Sequence, residues 1–237
     1  SFEEDNIGTH TMQYPSHITA VDGVERWWAG FASPWCESGI PVQICESQVA
    51  DILESLRYPC VTNSRDNIDD VPGDHDAIFL ARWKVGFDRP MLAALGIAPY
   101  FDNVWTMPSQ PGSTWDPATE DYVELAFIIS VLSAGPVGFS DIMGNANASL
   151  IATACTADGT LLKASLPSFY LDTVYQQAAA PFNVTAGRIF QAPSFMAGSV
   201  MMPTQWNSSA TPPRAWTAAA WATEEPFYTA VAERPQH

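Results

Sequence analysis

Two aspartates stand where a short apolar strand gives way to a polar loop. PYFDNVW (99–105) carries Asp102, and GPVGFSD (135–141) ends in Asp141. A helical run, Tyr122 to Leu132, lies between them, and a second, Asn147 to Cys155, follows. Strand, acid-bearing loop and helix, repeated, is the grammar of a βα barrel. In such barrels chemistry sits where strands end and loops begin. Asp102 and Asp141 are therefore expected at the rim of a site.

The elements that must hold them can be taken in order. Residues 1–14 read as a polar, exposed lead-in. SHITAVD (Ser16 to Asp22) reads as a buried strand ending in an acid, and GVERWWAGF follows with helical spacing. IPVQIC (Ile40 to Cys45) is a second strand. SQVADILESLR is an amphipathic helix with Val49, Ile52, Leu53 and Leu56 on one face and Ser47 as its cap. CVTNS (Cys60 to Ser64) is a third strand, opening into the acid-rich loop RDNIDDVPGDHD. A helical region, Ala77 to Leu95, is broken at Pro90 and closed by Gly96 as a C-cap. Five strands result, whereas a complete (β/α)8 barrel needs eight strands and about 250 residues. The expected fold is α/β: residues 1–167 as the C-terminal portion of a TIM barrel, then 168–237 as a short antiparallel β domain. Five parallel strands leave bare edges. Another polypeptide or an upstream segment is expected to complete the barrel.

The run ALGIAPYFDNVWT, then QPG, GPVGFSDIMGNANASLI and DGTLLK, resembles the glycoside hydrolase clan of α-galactosidases and raffinose-synthase-like proteins, in a secreted branch. There a DWDMF-type strand and a GGPVYVSD-type strand hold the places of PYFDNVW and AGPVGFSD. The resemblance covers roughly two thirds of the chain and is specific in this stretch. It implies barrel strands four to eight and the β domain that follows. It also implies retaining cleavage of α-galactoside-type sugars, which needs a carboxylate nucleophile and a carboxylic acid about 5–5.5 Å apart. The clan's nucleophile ends the fourth strand in a K-x-D pattern. ITAVD puts Asp22 there, with Ala20 where the lysine would be. The clan's acid/base lies four residues after an arginine, which selects Asp69 after Arg65 in RDNID. A shifted match of S-R-D to S-D-D selects Asp66 instead. Arg65, Asp66, Asp102, Trp105 and Asp141 are implied to meet the substrate. No cofactor is implied.

Composition narrows the partners. The chain has 237 residues, 47% hydrophobic and 15% charged, which marks a globular protein. Its net charge is −16, from ten basic and 26 acidic residues, and this argues against nucleic acid and anionic membranes. No apolar run approaches a membrane span. Nine Trp and twelve Phe pack a core or offer platforms to sugar rings. Sequons at Asn147, Asn183 and Asn207 point to a secreted glycoprotein; Asn147 could equally cap the helix after it. The chain starts at Ser1 without a signal-type segment, as expected of a mature product. Cys36, Cys45, Cys60 and Cys155 lack metal spacing, so no metal site is expected; they allow three pairings or buried thiols. His75, beside Asp74 and Asp76, reads as an exposed loop residue.

Two readings follow. One is a glycosidase in which Asp22 attacks and Asp69 donates the proton. The other is a catalytically decayed barrel that binds carbohydrate or builds an extracellular assembly. Ala20 in place of lysine, the N-I-D triplet and the missing strands favour the latter.

Overall fold

In the computed structural model the described residues are 2–67, 88–114, 119–120, 122–170, 188–194 and 215–221. Four strands form a parallel sheet in sequence order: β1 (Phe2–Glu4), β2 (Val42–Ile44), β3 (Val61–Arg65) and β4 (Ala98–Tyr100). Two residues further on, β5 (Asn103–Val104) pairs in parallel with β6 (Gly138–Phe139). The run 98–104 thus joins β3 through its first half and β6 through its second. Parallel neighbours require crossovers. These hold α1 (Ile7–Gln13), α2 (Pro15–Thr19) and α3 (Gly23–Glu37), then α4 (Val49–Ser55), then α5 (Arg89–Ala94), then α6 (Val123–Val131). A short α7 (Ala148–Ala152) follows β6. Three strands, β7 (Phe169–Tyr170), β8 (Arg188–Ser194) and β9 (Ala215–Trp221), then pair antiparallel. The chain is therefore mixed α/β. Among the described residues no helix is long and apolar enough to cross a membrane.

The first strand is not where its residue types suggested. Ser16–Asp22 is helix and turn: Pro15 opens α2, and the Thr19 hydroxyl donates to the Pro15 carbonyl at 2.6 Å. Proline at a first helical position loses no hydrogen bond, which favours this start. The β-branched run ITAV therefore belongs to no strand, and Val21 is fully exposed. The presumed lead-in supplies the strand instead. Phe2 stacks on Trp35 with ring centroids 4.2 Å apart, and its strand lies beside β2 in register Phe2↔Val42.

One face of the sheet is apolar and carries the helices. Val42, Ile44 and Val61 pack with Ile7, Trp28, Ala32, Ile52 and Leu92 from α1, α3, α4 and α5. A second cluster joins Phe101 and Val104 to Ala126, Phe127, Ile129, Ala154 and Tyr170. In α4 the buried side is Asp51, Ile52 and Ser55, while Val49, Leu53 and Leu56 are exposed. Here Gln48, not Ser47, caps the helix in a reciprocal capping box with Asp51. Turning Asp51 inward brings Ile52 and Ser55 with it. The Ser47 hydroxyl is bonded to that of Ser64 at 3.0 Å. Pro90 lies in the first turn of α5, and Gly96, at φ 79°, follows the helix end as expected. Residues 68–87, where that helical reading began, lie outside the described residues.

One disulfide, Cys36–Cys60, ties the end of α3 to the start of β3; Cys45 and Cys155 are free. The bond closes a sequence separation of 24 residues. By loop entropy its removal should cost about 3 kcal/mol. Urea unfolding of Cys36→Ser/Cys60→Ser should show a correspondingly lower midpoint; an unchanged midpoint would refute this contribution.

Candidate functional site

The other face of the sheet is polar. Glu3, Gln43 and Asn63 share one row of the register. The Gln43 amide donates to the Tyr100 hydroxyl at 2.7 Å, and that hydroxyl donates to Glu3 at 3.1 Å. The chain thus spends hydrogen bonds, not apolar contact, on linking β1, β2 and β4 across this face. Burial, then the nearby Glu3 charge, pushes the Tyr100 phenol up, so it stays protonated and can donate.

Acids collect where the strands end. Asp5 follows β1, Glu46 lies two residues beyond β2, Asp66 follows β3, Asp102 sits between β4 and β5, and Asp141 lies two residues beyond β6. Arg65, the last residue of β3, binds two of them: Glu46 at 3.2 Å and Asp102 at 3.6 Å. Its own side chain is buried, while the two carboxylates keep partial access to solvent. Glu46 is held in the left-handed region at φ 49°, which costs a non-glycine residue about 1 kcal/mol or more. The start of α1 fixes it there: the Gly8 N–H donates to the Glu46 carbonyl at 3.1 Å, and a β-carbon on Gly8 would approach that oxygen to 2.8 Å. The Asp102 N–H donates to Asn67 Oδ1 at 2.8 Å, so the loop after β3 sets the height of this acid. The Cys45 thiol is pushed up by burial first and by a hydrogen bond with Asp5 second. It is a protonated donor, not a nucleophile.

Asp66 does something else. It forms an ion pair with Arg89 of α5, and both side chains are 0% exposed. Arg89 also donates to the Ser168 hydroxyl and, at 3.5 Å, to the Ile129 carbonyl. Burial raises the Asp66 carboxyl to about 6, against the pull of Arg89. An unfolded aspartate titrates near 4. Between those values the folded chain binds the extra proton, so this group's contribution to stability rises as pH falls from 6 to 4. Relative to Asp66→Asn, the wild-type chain should gain on the order of 2 kcal/mol between pH 7 and pH 4 in urea titrations. A pH-independent difference between the two proteins would refute this.

The remaining candidates are placed as follows. Asp22 ends no strand. It precedes α3, is 58% exposed and pairs with Arg26 at 3.3 Å. Asp69 lies outside the described residues, as do His75, Asn183 and Asn207. Trp105 is 3% exposed, so its ring is packed and not presented. Asp141 accepts from the Thr106 N–H at 2.9 Å, the Thr106 hydroxyl at 3.0 Å and the Gln110 amide at 2.5 Å. It staples the loop after β5. Asn147 caps α7 by accepting from the Leu150 N–H at 3.1 Å. It lines a cleft of about 530 Å³ with Thr106, Glu120, Tyr122 and Leu150. Asp5, Glu46, Tyr100 and Arg89 were not among the sequence candidates.

No protein-family model and no curated protein matches this chain.

Proposed function

We propose that the chain forms the C-terminal part of a secreted, glycoside hydrolase-like barrel, with a sugar bound at the C-terminal ends of β1 to β6. The observation that carries this is the Glu46–Arg65–Asp102 cluster at the ends of adjacent parallel strands. Carboxylates fixed by a central arginine are suited to accepting sugar hydroxyls, because each keeps lone pairs while its position is held. In this reading Asp5 takes the nucleophile's place, since β1 is the first strand and Asp5 ends it. Asp69 keeps the acid/base role. Asp66 is structural, committed to Arg89. Three antiparallel strands after residue 168 represent the β domain that follows such a barrel. The disulfide and the three sequons fit the secretory route.

A second reading is favoured by one residue. The K-x-D pattern has lysine two places before the nucleophile, and Glu3 occupies that place, bonded to Tyr100. An acid there cannot supply the missing positive charge. The barrel then binds sugar without turning it over.

Hydrolysis of chromogenic α-galactosides separates the two readings. Under the first, Asp5→Asn should lower kcat by at least 1,000-fold and Asp22→Asn should leave it within a factor of about three, as measured from initial rates. Equal activity of Asp5→Asn and wild type would remove Asp5 from the mechanism. Absence of turnover in the wild type, with galactoside binding retained, selects the second reading.

A further inference from the structure

On the helix side of β1, away from the polar face, lies another cleft of about 530 Å³ lined by Glu4, His10, Tyr14, His17, Trp27 and Phe31, among others. Its volume falls in the range of small-molecule sites. Two of the chain's four histidines line it. His10 Nδ1 meets Glu4 Oε1 at 3.0 Å, and His17 Nδ1 meets the His10 carbonyl at 3.2 Å. A carbonyl can only accept, so Nδ1 of His17 carries the proton; the Glu4 carboxylate selects the same tautomer for His10. In the neutral rings Nε2 is then an acceptor, and no hydrogen bond to either Nε2 occurs among the described residues. Trp27 lies 6.1 Å from the His17 ring and 6.4 Å from that of His10, stacks on Phe31 at 5.3 Å, and Tyr14 lies 5.2 Å from His17. Tyr14 is 53% exposed. Arg26, also lining the cleft, supplies donors.

We infer that this cleft is a second carbohydrate site, for a neutral pyranose. The pattern selects that class. Aromatic rings pack on the flat C–H face of a sugar, imidazole lone pairs accept its hydroxyl protons, and the guanidinium donates to its oxygens. Phosphate is disfavoured, because the Glu4 carboxylate in the lining repels it and the Arg26 guanidinium is already paired with Asp22. A purely apolar ligand is disfavoured because it would leave both imidazole nitrogens unpaired. The site does not depend on the function proposed for the sheet face, because its residues lie on the opposite side of β1.

The test is tryptophan fluorescence and calorimetric titration of the full chain with galactose-, glucose- and mannose-containing oligosaccharides, with inorganic phosphate as the counter-probe. At least one oligosaccharide should bind. Tyr14→Ala and His17→Gln, at an exposed and a partly exposed position, should each weaken that binding at least tenfold. Arg65→Met, on the other face, should leave it unchanged; loss of a sheet-face sugar in Arg65→Met alone would bear on the function proposed above and not on this cleft. Binding of phosphate in preference to every sugar would overturn the inference. So would sugar binding that the Arg65→Met chain still shows when Tyr14→Ala or His17→Gln is added to it, or no oligosaccharide binding at millimolar concentration.

Discussion

Replacing Arg89 by alanine should destabilise the chain by about 3–5 kcal/mol, enough to unfold a domain of ordinary stability. The cause is not the loss of a favourable bond alone. Arg89 and Asp66 are both fully buried, so removing the cation strands a carboxylate away from water. Arg89 also donates to Ser168 and to the Ile129 carbonyl, so the loop after β3, α5, α6 and the segment before β7 all meet at one guanidinium. Lysine cannot replace it, because a single ammonium does not reach in three directions from one plane. Urea unfolding of Arg89→Ala and Arg89→Lys measures this. A wild-type midpoint for the alanine variant would show that Asp66 finds water or another partner.

Gly135→Ala should be as damaging, by more than about 3 kcal/mol, because its cost falls on backbone. A β-carbon at Gly135 would lie 2.0 Å from the Pro99 carbonyl oxygen, 2.8 Å from the Pro99 carbonyl carbon and 3.2 Å from Tyr100 Cβ. None of these is the flexible end of a side chain. The clash can be relieved only by moving β4 away from the segment that leads into β6, and Tyr100 and Asp102 would move with it. Thermal unfolding of Gly135→Ala and Gly96→Ala separates causes. Gly96 has open space around its missing β-carbon but a φ of 79°, so that variant should lose only about 1 kcal/mol from backbone strain. Equal losses would mean that conformation, and not contact, sets the cost at Gly135.

Much of the parallel sheet was legible because β2, β3 and the run 98–104 pair apolar residues with turn signals, and those patterns survive in the structure. The first strand was not legible. Phe2–Glu4 is three residues long with two acids, since one face meets a polar cluster and not a core. The strand period therefore carried no apolar alternation to detect. Ser16–Asp22 misled for the opposite reason: its β-branched residues mimic a strand, and only the placement of Pro15 at a helix start decides otherwise. This displacement carried the strand-end acid from Asp22 to Asp5. Arg65 was legible as the arginine four residues before Asp69, yet its partners in the structure, Glu46 and Asp102, come from separate loops, and no local spacing reveals them. Arg89 and Asp66 are 23 residues apart and bond in the interior, where sequence pattern treats charge as surface.

We propose that the ends of the parallel strands bind a sugar through Glu46 and Asp102, held by Arg65. Amide chemical-shift mapping of the full chain during titration with a galactoside tests it most directly. The expected result is a saturable set of shifts centred on Glu46, Arg65, Tyr100 and Asp102, abolished in Arg65→Met. Shifts confined to other surfaces, or an Arg65→Met chain that binds as the wild type does, would contradict it.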